Sequence, residues 1–201
     1  MPCAEYLLFI SSEQRLYRVV PVLSLLYCLQ NMNFHIESLL FAEDLMMDFL
    51  RRNRHSWTPA TSGICYRSNY CSEFTPTIGQ SVFNFSQQYP LELQVNRYNF
   101  DEVNTNFPKG YKPIDFLLFC CKVANQVLYS FKINDCNAKE SGDIGVLTIV
   151  QHFKEFLRSG EFQREGGWKL LKNMCKYLSN PCTFKFLFQF IDSTTMKYSR
   201  K

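Results

Sequence analysis

Residues 114–131, IDFLLFCCKVANQVLYSF, restrict the fold more than any other stretch of this chain. They carry helical spacing but are apolar nearly all round, with only Asp115, Lys122, Asn125, Gln126 and Ser130 interrupting. A helix without a polar face has to be surrounded by other helices or by lipid. A bilayer span takes about twenty predominantly apolar residues, so eighteen that include Asp115 and Lys122 make a poor one. The segment therefore reads as the core helix of a helical bundle.

The surrounding sequence supplies the partners such a helix needs. Residues 36–52, IESLLFAEDLMMDFLRR, place Leu39, Ala42, Met46 and Phe49 on one helical face. Glu43, Asp44, Asp48, Arg51 and Arg52 fall on the other, with the acids early and the arginines last, as the helix dipole favours. Ile78, Val82, Phe85 and Tyr89 share a face in 78–89, a segment closed by Pro90. Phe100, Val103 and Phe107 do so in 98–110, which Pro108 and Gly110 end. Val146, Val150, Phe153 and Leu157 mark another helix over 144–158, joined to the apolar one by the polar NDCNAKESGD to form a hairpin. No strong alternation of period two appears in the first half, and the expected class is all-α. Between the first two helices, Asn53 to Thr77 reads as a long polar loop, of a length that in compact domains is usually functional or disordered.

One local motif stands out from this patterning. In EFQREGGWKLL (161–171), Gly166 and Gly167 allow the chain to turn sharply, because glycine reaches positive φ without steric cost. Trp168 then opens an amphipathic run, with Leu170, Leu171, Met174, Cys175 and Leu178 spaced like one face of a helix. The expected arrangement is helix, two-glycine break, helix, with a large aromatic at the joint. The alternative is a plain helix C-cap followed by a core tryptophan.

Composition excludes several classes. With 46% hydrophobic residues and nineteen Phe, the chain can build a core and does not resemble a disordered segment. A net charge of +4 from 22 basic and 18 acidic residues, without long Lys/Arg runs, gives no nucleic-acid signature. The nine cysteines form no CxxC pair and no Cys/His ladder, so neither a zinc site nor any other metal or cofactor is expected. Cys120 and Cys121 lie inside the apolar helix, where cysteine acts as a small hydrophobe, and the cysteine usage reads as intracellular and reducing. His35, His55 and His152 are scattered, and no HExxH, GxSxG or phosphate loop occurs, so the chain does not read as an enzyme.

Three parts follow from this pass: an apolar extension over 1–35, a helical domain over 36–178, and a short apolar and basic tail over 179–201. The first apolar block is too short for a signal peptide and lacks a basic flank, so secretion is not expected. The tail's apolar patch, Phe184 to Ile191, is too short to span a bilayer. Phe184, Leu187, Phe188 and Ile191 share a helical face, which suits folding back onto the domain or lying on a membrane surface.

A buried hairpin followed by FLRSGEFQREGGWKLL (156–171) resembles the end of the Bcl-2 family fold, whose BH2 motif carries a Gly-Gly-Trp after the second hairpin helix. FDEVNTNFPKGYKPIDFLLF (100–119) is similar to the approach to the family's BH1 motif, although Gly110-Tyr111-Lys112-Pro113 stands where the family has Asn-Trp-Gly-Arg. Lys112 is then the nearest stand-in for the arginine that pairs with a ligand aspartate, a point charge rather than a bidentate fork. For the BH3 helix two segments fit. Ile78, Val82, Phe85 and Tyr89 suit the chain order and the long loop, and are preferred; Leu39, Asp44 and Met46 match the apolar-acid-apolar spacing better.

The resemblance implies a Bcl-2-like bundle with a central apolar hairpin and a surface groove that takes a partner's amphipathic BH3 helix. Groove residues implied are Phe100, Val103, Phe107, Gly110, Lys112, Phe116, Gly166, Gly167 and Trp168, each with ordinary core packing as its alternative. It further implies a cytoplasmic regulator of apoptosis, of undecided pro- or anti-death sense, whose partners are BH3-containing family members. Homo- or heterodimers and peripheral contact with mitochondria belong to the same expectation. Two other classes remain beside it: an RGS-like helical regulator of G proteins, which FKEFLRSG, LSNP and the Phe-rich end faintly resemble, and a helical interaction module without a groove.

Overall fold

A computed structural model describes residues 34–63, 70–88, 110–133 and 136–185. The described residues are helical with no strand, so the chain is all-α. In chain order come α1 (Phe34–Arg52), a 3-10 turn (Ala60–Gly63), α2 (Pro76–Gln88), α3 (Pro113–Lys132), α4 (Ala138–Ser159), the short α5 (Glu161–Arg164) and α6 (Gly167–Leu178). Expectations for 1–33, 98–109 and 186–201 lie outside the described residues, as do Phe100, Val103, Phe107 and Tyr89.

The apolar pair α3–α4 forms a hairpin, and α1 packs along α4 while also touching α2 and α3. Cys120, Val123, Ala124 and Val127 of α3 are fully buried, as the all-round apolar pattern requires. Yet α1 is buried as deeply. Every apolar residue from Leu39 to Leu50 except Met47 is 2% exposed or less.

This corrects the sequence reading of α1 as a helix with one solvated face. Glu43 is 0% exposed and Asp48 is 6% exposed. Neither is left without a partner, as buried charge demands. Thr61 donates its hydroxyl to Glu43. Arg51 and Arg52 each donate to Asp48 at 2.6 Å, and Arg52 reaches on to Gln80 of α2, also at 2.6 Å. The early-acid, late-arginine order that suits the dipole thus also supplies the neutralising pairs. At Gly79, α2 comes so close to Asp48 that a Cβ would collide with the carboxylate.

The segment after α1 is not simply a long loop. Trp57 is buried and donates its indole N–H to the Lys139 carbonyl at 3.0 Å, and the Ala60 amide donates to Asp143 at 3.0 Å. These bonds fasten the chain to the first turns of α4. Gly142 makes room for Trp57, since a Cβ there would enter the indole ring. The same contacts explain a second correction. α4 starts at Ala138, not near Ile144, because Ala138, Lys139 and Glu140 are good helix formers and the Trp57 segment closes over them. The hairpin connection shortens to 133–137.

Polar hooks tie α2 to α6. Ser81 donates to the Cys175 carbonyl at 3.2 Å, which the Ser179 amide also reaches at 2.8 Å, and Asn84 donates to the Leu178 carbonyl at 2.9 Å, at the end of α6 where carbonyls run out of helical partners. Lys172 pairs with Glu73 just before α2. Beyond α6, Phe184 is 3% exposed and meets Phe85 edge-to-face, so the start of the tail folds back onto α2.

Candidate functional site

The sequence motifs converge where α3 begins and α4 ends. Lys112 has extended backbone, the conformation expected of a residue before proline, and Pro113 opens α3 where its missing N–H costs nothing. Two residues earlier, exposed Gly110 adopts φ 89°. Between them Tyr111 turns inward, 4% exposed, and its amide donates to the Glu161 carboxylate at 2.9 Å.

On the facing side α4 ends at Gly160, whose φ of 70° is the left-handed conformation that terminates helices. After α5, Gly166 (φ 91°) and Gly167 (φ 55°) make the break expected from the sequence, and α6 starts at once. Any side chain at Gly166 would be strained by its φ and would press on Leu170. The turn aims Trp168 inward, where its ring centroid lies 4.9 Å from Phe41 and 5.0 Å from both Phe153 and Phe162. Tyr111 completes the cluster, 5.2 Å from Phe162 and 5.0 Å from Phe156.

The candidate residues therefore separate into groups. Gly110, Lys112 and Gly166 are exposed, with Gly167 and Trp168 half-buried, and the Tyr111–Phe162–Trp168 ring contacts join them into one corner. Phe116 is 1% exposed and stacks on Phe153 at 5.1 Å, so it belongs to the core rather than to a surface. Ile78, Val82 and Phe85 share the inner face of α2 at 0% exposure. Leu39 and Met46, the alternative apolar pair, are as fully enclosed in α1, with Asp44 half-buried between them.

Sequence reasoning missed Tyr111. Its hydroxyl is buried with no hydrogen-bond partner among the described residues. Burial, reinforced by Cys120, Cys175 and Glu165, raises its pKa far above the ordinary phenol value, so it stays protonated. The available signal was its place between a glycine and an X-Pro step, which ties the ring to a fixed backbone. The thiols behave as the sequence implied. Burial pushes Cys121 up to about 12 and Cys175 up to about 11, and raises Cys120 as well, which leaves them protonated and unreactive.

His152 is buried on α4. It is 8% exposed with its ring 4.7 Å from Phe119, and burial lowers its pKa against an opposing pull from Glu155. Among the described residues no group of three His, Cys, Asp or Glu side chains converges as metal ligands would. α3 is the one described helix long and apolar enough to cross a membrane, and most of its apolar stretch is enclosed by the bundle, as in the core helix of a soluble fold.

No protein-family model matches this chain, and no curated protein or solved structure matches it either. The fold and the corner define an all-α bundle with an aromatic-packed glycine turn beside an exposed lysine.

Proposed function

We propose that this protein regulates apoptosis in the manner of the Bcl-2 family, by holding a partner's amphipathic BH3 helix in a surface groove. The observation that carries the reading is the convergence of Gly110 and Lys112 with Gly166, Gly167 and Trp168 at one corner of a helical bundle, directly beyond the apolar α3–α4 hairpin. That is the order and neighbourhood in which the resembled motifs would be used together. In this reading Phe100, Val103 and Phe107 line the groove, and the Gly-Gly-Trp turn forms its end wall. Exposed Lys112 takes the partner's aspartate. Three or four aliphatic anchors at about 1.5–3 kcal/mol each can outweigh the ordering of the bound helix. Phe116, fully enclosed, supports the wall from behind. The protein would act in the cytoplasm and at the mitochondrial surface, as a partner of BH3-containing proteins.

Fluorescence polarisation with a panel of labelled BH3 peptides tests the reading, using the purified protein together with Phe107→Ala and Lys112→Glu. The expected result is sub-micromolar binding of at least one peptide, weakened by both substitutions. No binding by a protein that circular dichroism shows to be folded and helical would end the groove mechanism.

A further inference from the structure

α6 carries two apolar faces rather than the single face through Leu170 and Leu171 that its sequence suggests, and only one of them is used by the bundle. Leu171, Cys175 and Leu178 face inward and are fully buried. Leu170 and Tyr177, seven residues apart and so on one stripe, stand 42% and 65% exposed with half-buried Met174 between them. They are two of the four large hydrophobic residues exposed among the described residues. An outward aliphatic-aromatic stripe on a helix already anchored by its other face is unexplained by folding.

The charge carried by α6 itself and the residues just after it has one sign. From Gly166 to Lys185 there are four lysines and no acid. Lys169 and Lys176 are exposed on the far side of Asn173 from the stripe, and Lys185 is exposed beyond the helix. Lys172 is already held by Glu73. The asymmetry extends over the chain. Residues 166–201 contain seven basic residues against one acid, a net of +6, whereas residues 1–165 contain fifteen against seventeen, a net of −2. A basic end on an otherwise slightly acidic chain is an electrostatic address for an anionic surface.

We propose that the outer flank of α6 docks the protein on an anionic lipid bilayer. Leu170 and Tyr177 enter the interfacial layer, with Lys169 and Lys176 among the headgroups. Apolar and aromatic side chains beside snorkelling lysines are what an interfacial helix presents. Lysines near an anionic leaflet each contribute on the order of 1 kcal/mol at physiological salt. A bilayer is favoured over an acidic protein partner because the stripe is short and convex and the charge continues along the chain beyond the helix. A flat, laterally adaptable surface meets both features at once. The inference stands on α6 alone and does not depend on a BH3 groove.

Vesicle co-flotation of the full chain tests it, with phosphatidylcholine vesicles compared with phosphatidylcholine containing phosphatidylserine, at physiological and at high salt. The expected result is binding to the anionic vesicles only, lost at high salt. Lys169→Gln combined with Lys176→Gln should weaken partitioning about thirty-fold, the loss of two lysine contributions. Leu170→Ser combined with Tyr177→Ser should weaken it at least about tenfold. Circular dichroism and thermal melting establish that both variants are folded, as surface changes should leave them. No binding to anionic vesicles overturns the proposal, even if an acidic peptide binds instead. Binding that survives both pairs of substitutions overturns it too, since the membrane contact would then lie elsewhere on the chain.

Discussion

The two ends of α4 are fastened by different physics. At its start, directional polar bonds hold the chain: Trp57 to the Lys139 carbonyl, the Ala60 amide to Asp143, and Thr61 to Glu43 on the adjoining α1. Ten residues beyond Asp143, about 15 Å at about 1.5 Å each, the helix enters a cluster of rings. There Phe153 touches Phe41, Phe116, Phe162 and Trp168. The polar end fixes one geometry, because a hydrogen bond is strong only over a narrow range of direction. The aromatic end depends on filled volume, and its geometry is set by the glycine turns that deliver Phe162 and Trp168. A solvent-facing segment is thus secured by bond direction, and the corner carrying Lys112 and the Gly-Gly-Trp turn by packing.

The largest effect should come from emptying the aromatic end. Phe153→Ala removes the ring at the centre of the cluster and should destabilise the fold by about 3–5 kcal/mol in urea unfolding. Thr61→Val should cost less, about 1.5–3 kcal/mol, by depriving buried Glu43 of a hydroxyl donor. If Thr61→Val proved the costlier of the two, the division into a packed end and a bonded end would be wrong.

Smaller effects sharpen the contrast. Tyr111→Phe removes a buried hydroxyl that finds no partner among the described residues, so it should be neutral or stabilise by about 1 kcal/mol while leaving the ring contacts intact. A loss above that range would mean the hydroxyl is bonded and that the corner is polar after all.

The smallest effect is one of pH, and it belongs to the bonded end. Burial raises the Asp143 pKa above its ordinary 3.8, with Glu43 and Glu140 adding to the rise and the Ala60 amide opposing it. The folded state therefore holds this proton more tightly than the unfolded state does. Its contribution is greatest below pH 3.8 and is lost as pH rises from there through the folded-state pKa. Asp143→Asn keeps an oxygen for the Ala60 amide and should flatten that part of the stability profile. Chemical denaturation at a series of pH values checks this, and an unchanged slope would place the acid response in other groups.

The helices were legible because their signals are local. Periodicity alone places α1, α2 and α3 close to their observed bounds, and the adjacent glycines before Trp168 mark the break that Gly166 and Gly167 make with positive φ. Polar residues misled the reading in two places. Ala138 to Asp143 looked like loop because no apolar stripe runs through it, yet it is helix under the Trp57 segment. Glu43 and Asp48 looked solvated because charge usually is, yet Thr61 and two arginines make their burial tolerable. At the corner, Gly110, Lys112 and the Gly-Gly-Trp turn could be named from sequence, whereas Phe116 could not be told from a groove residue. An apolar side chain at a given helical register is the same letter whether its neighbour is a helix or water.

The sequence by itself determined the all-α class, the apolar hairpin and the glycine turn, since helical period, apolar continuity and positive φ act within a few residues of one another. The tertiary structure alone decided that α1 shares the centre with α3, that Tyr111 points inward beside Phe162, and that α6 keeps Leu170 and Tyr177 outside. Those outcomes rest on which distant segment covers which face, and the free energy of covering a face depends on the shape and charge of the segment that arrives.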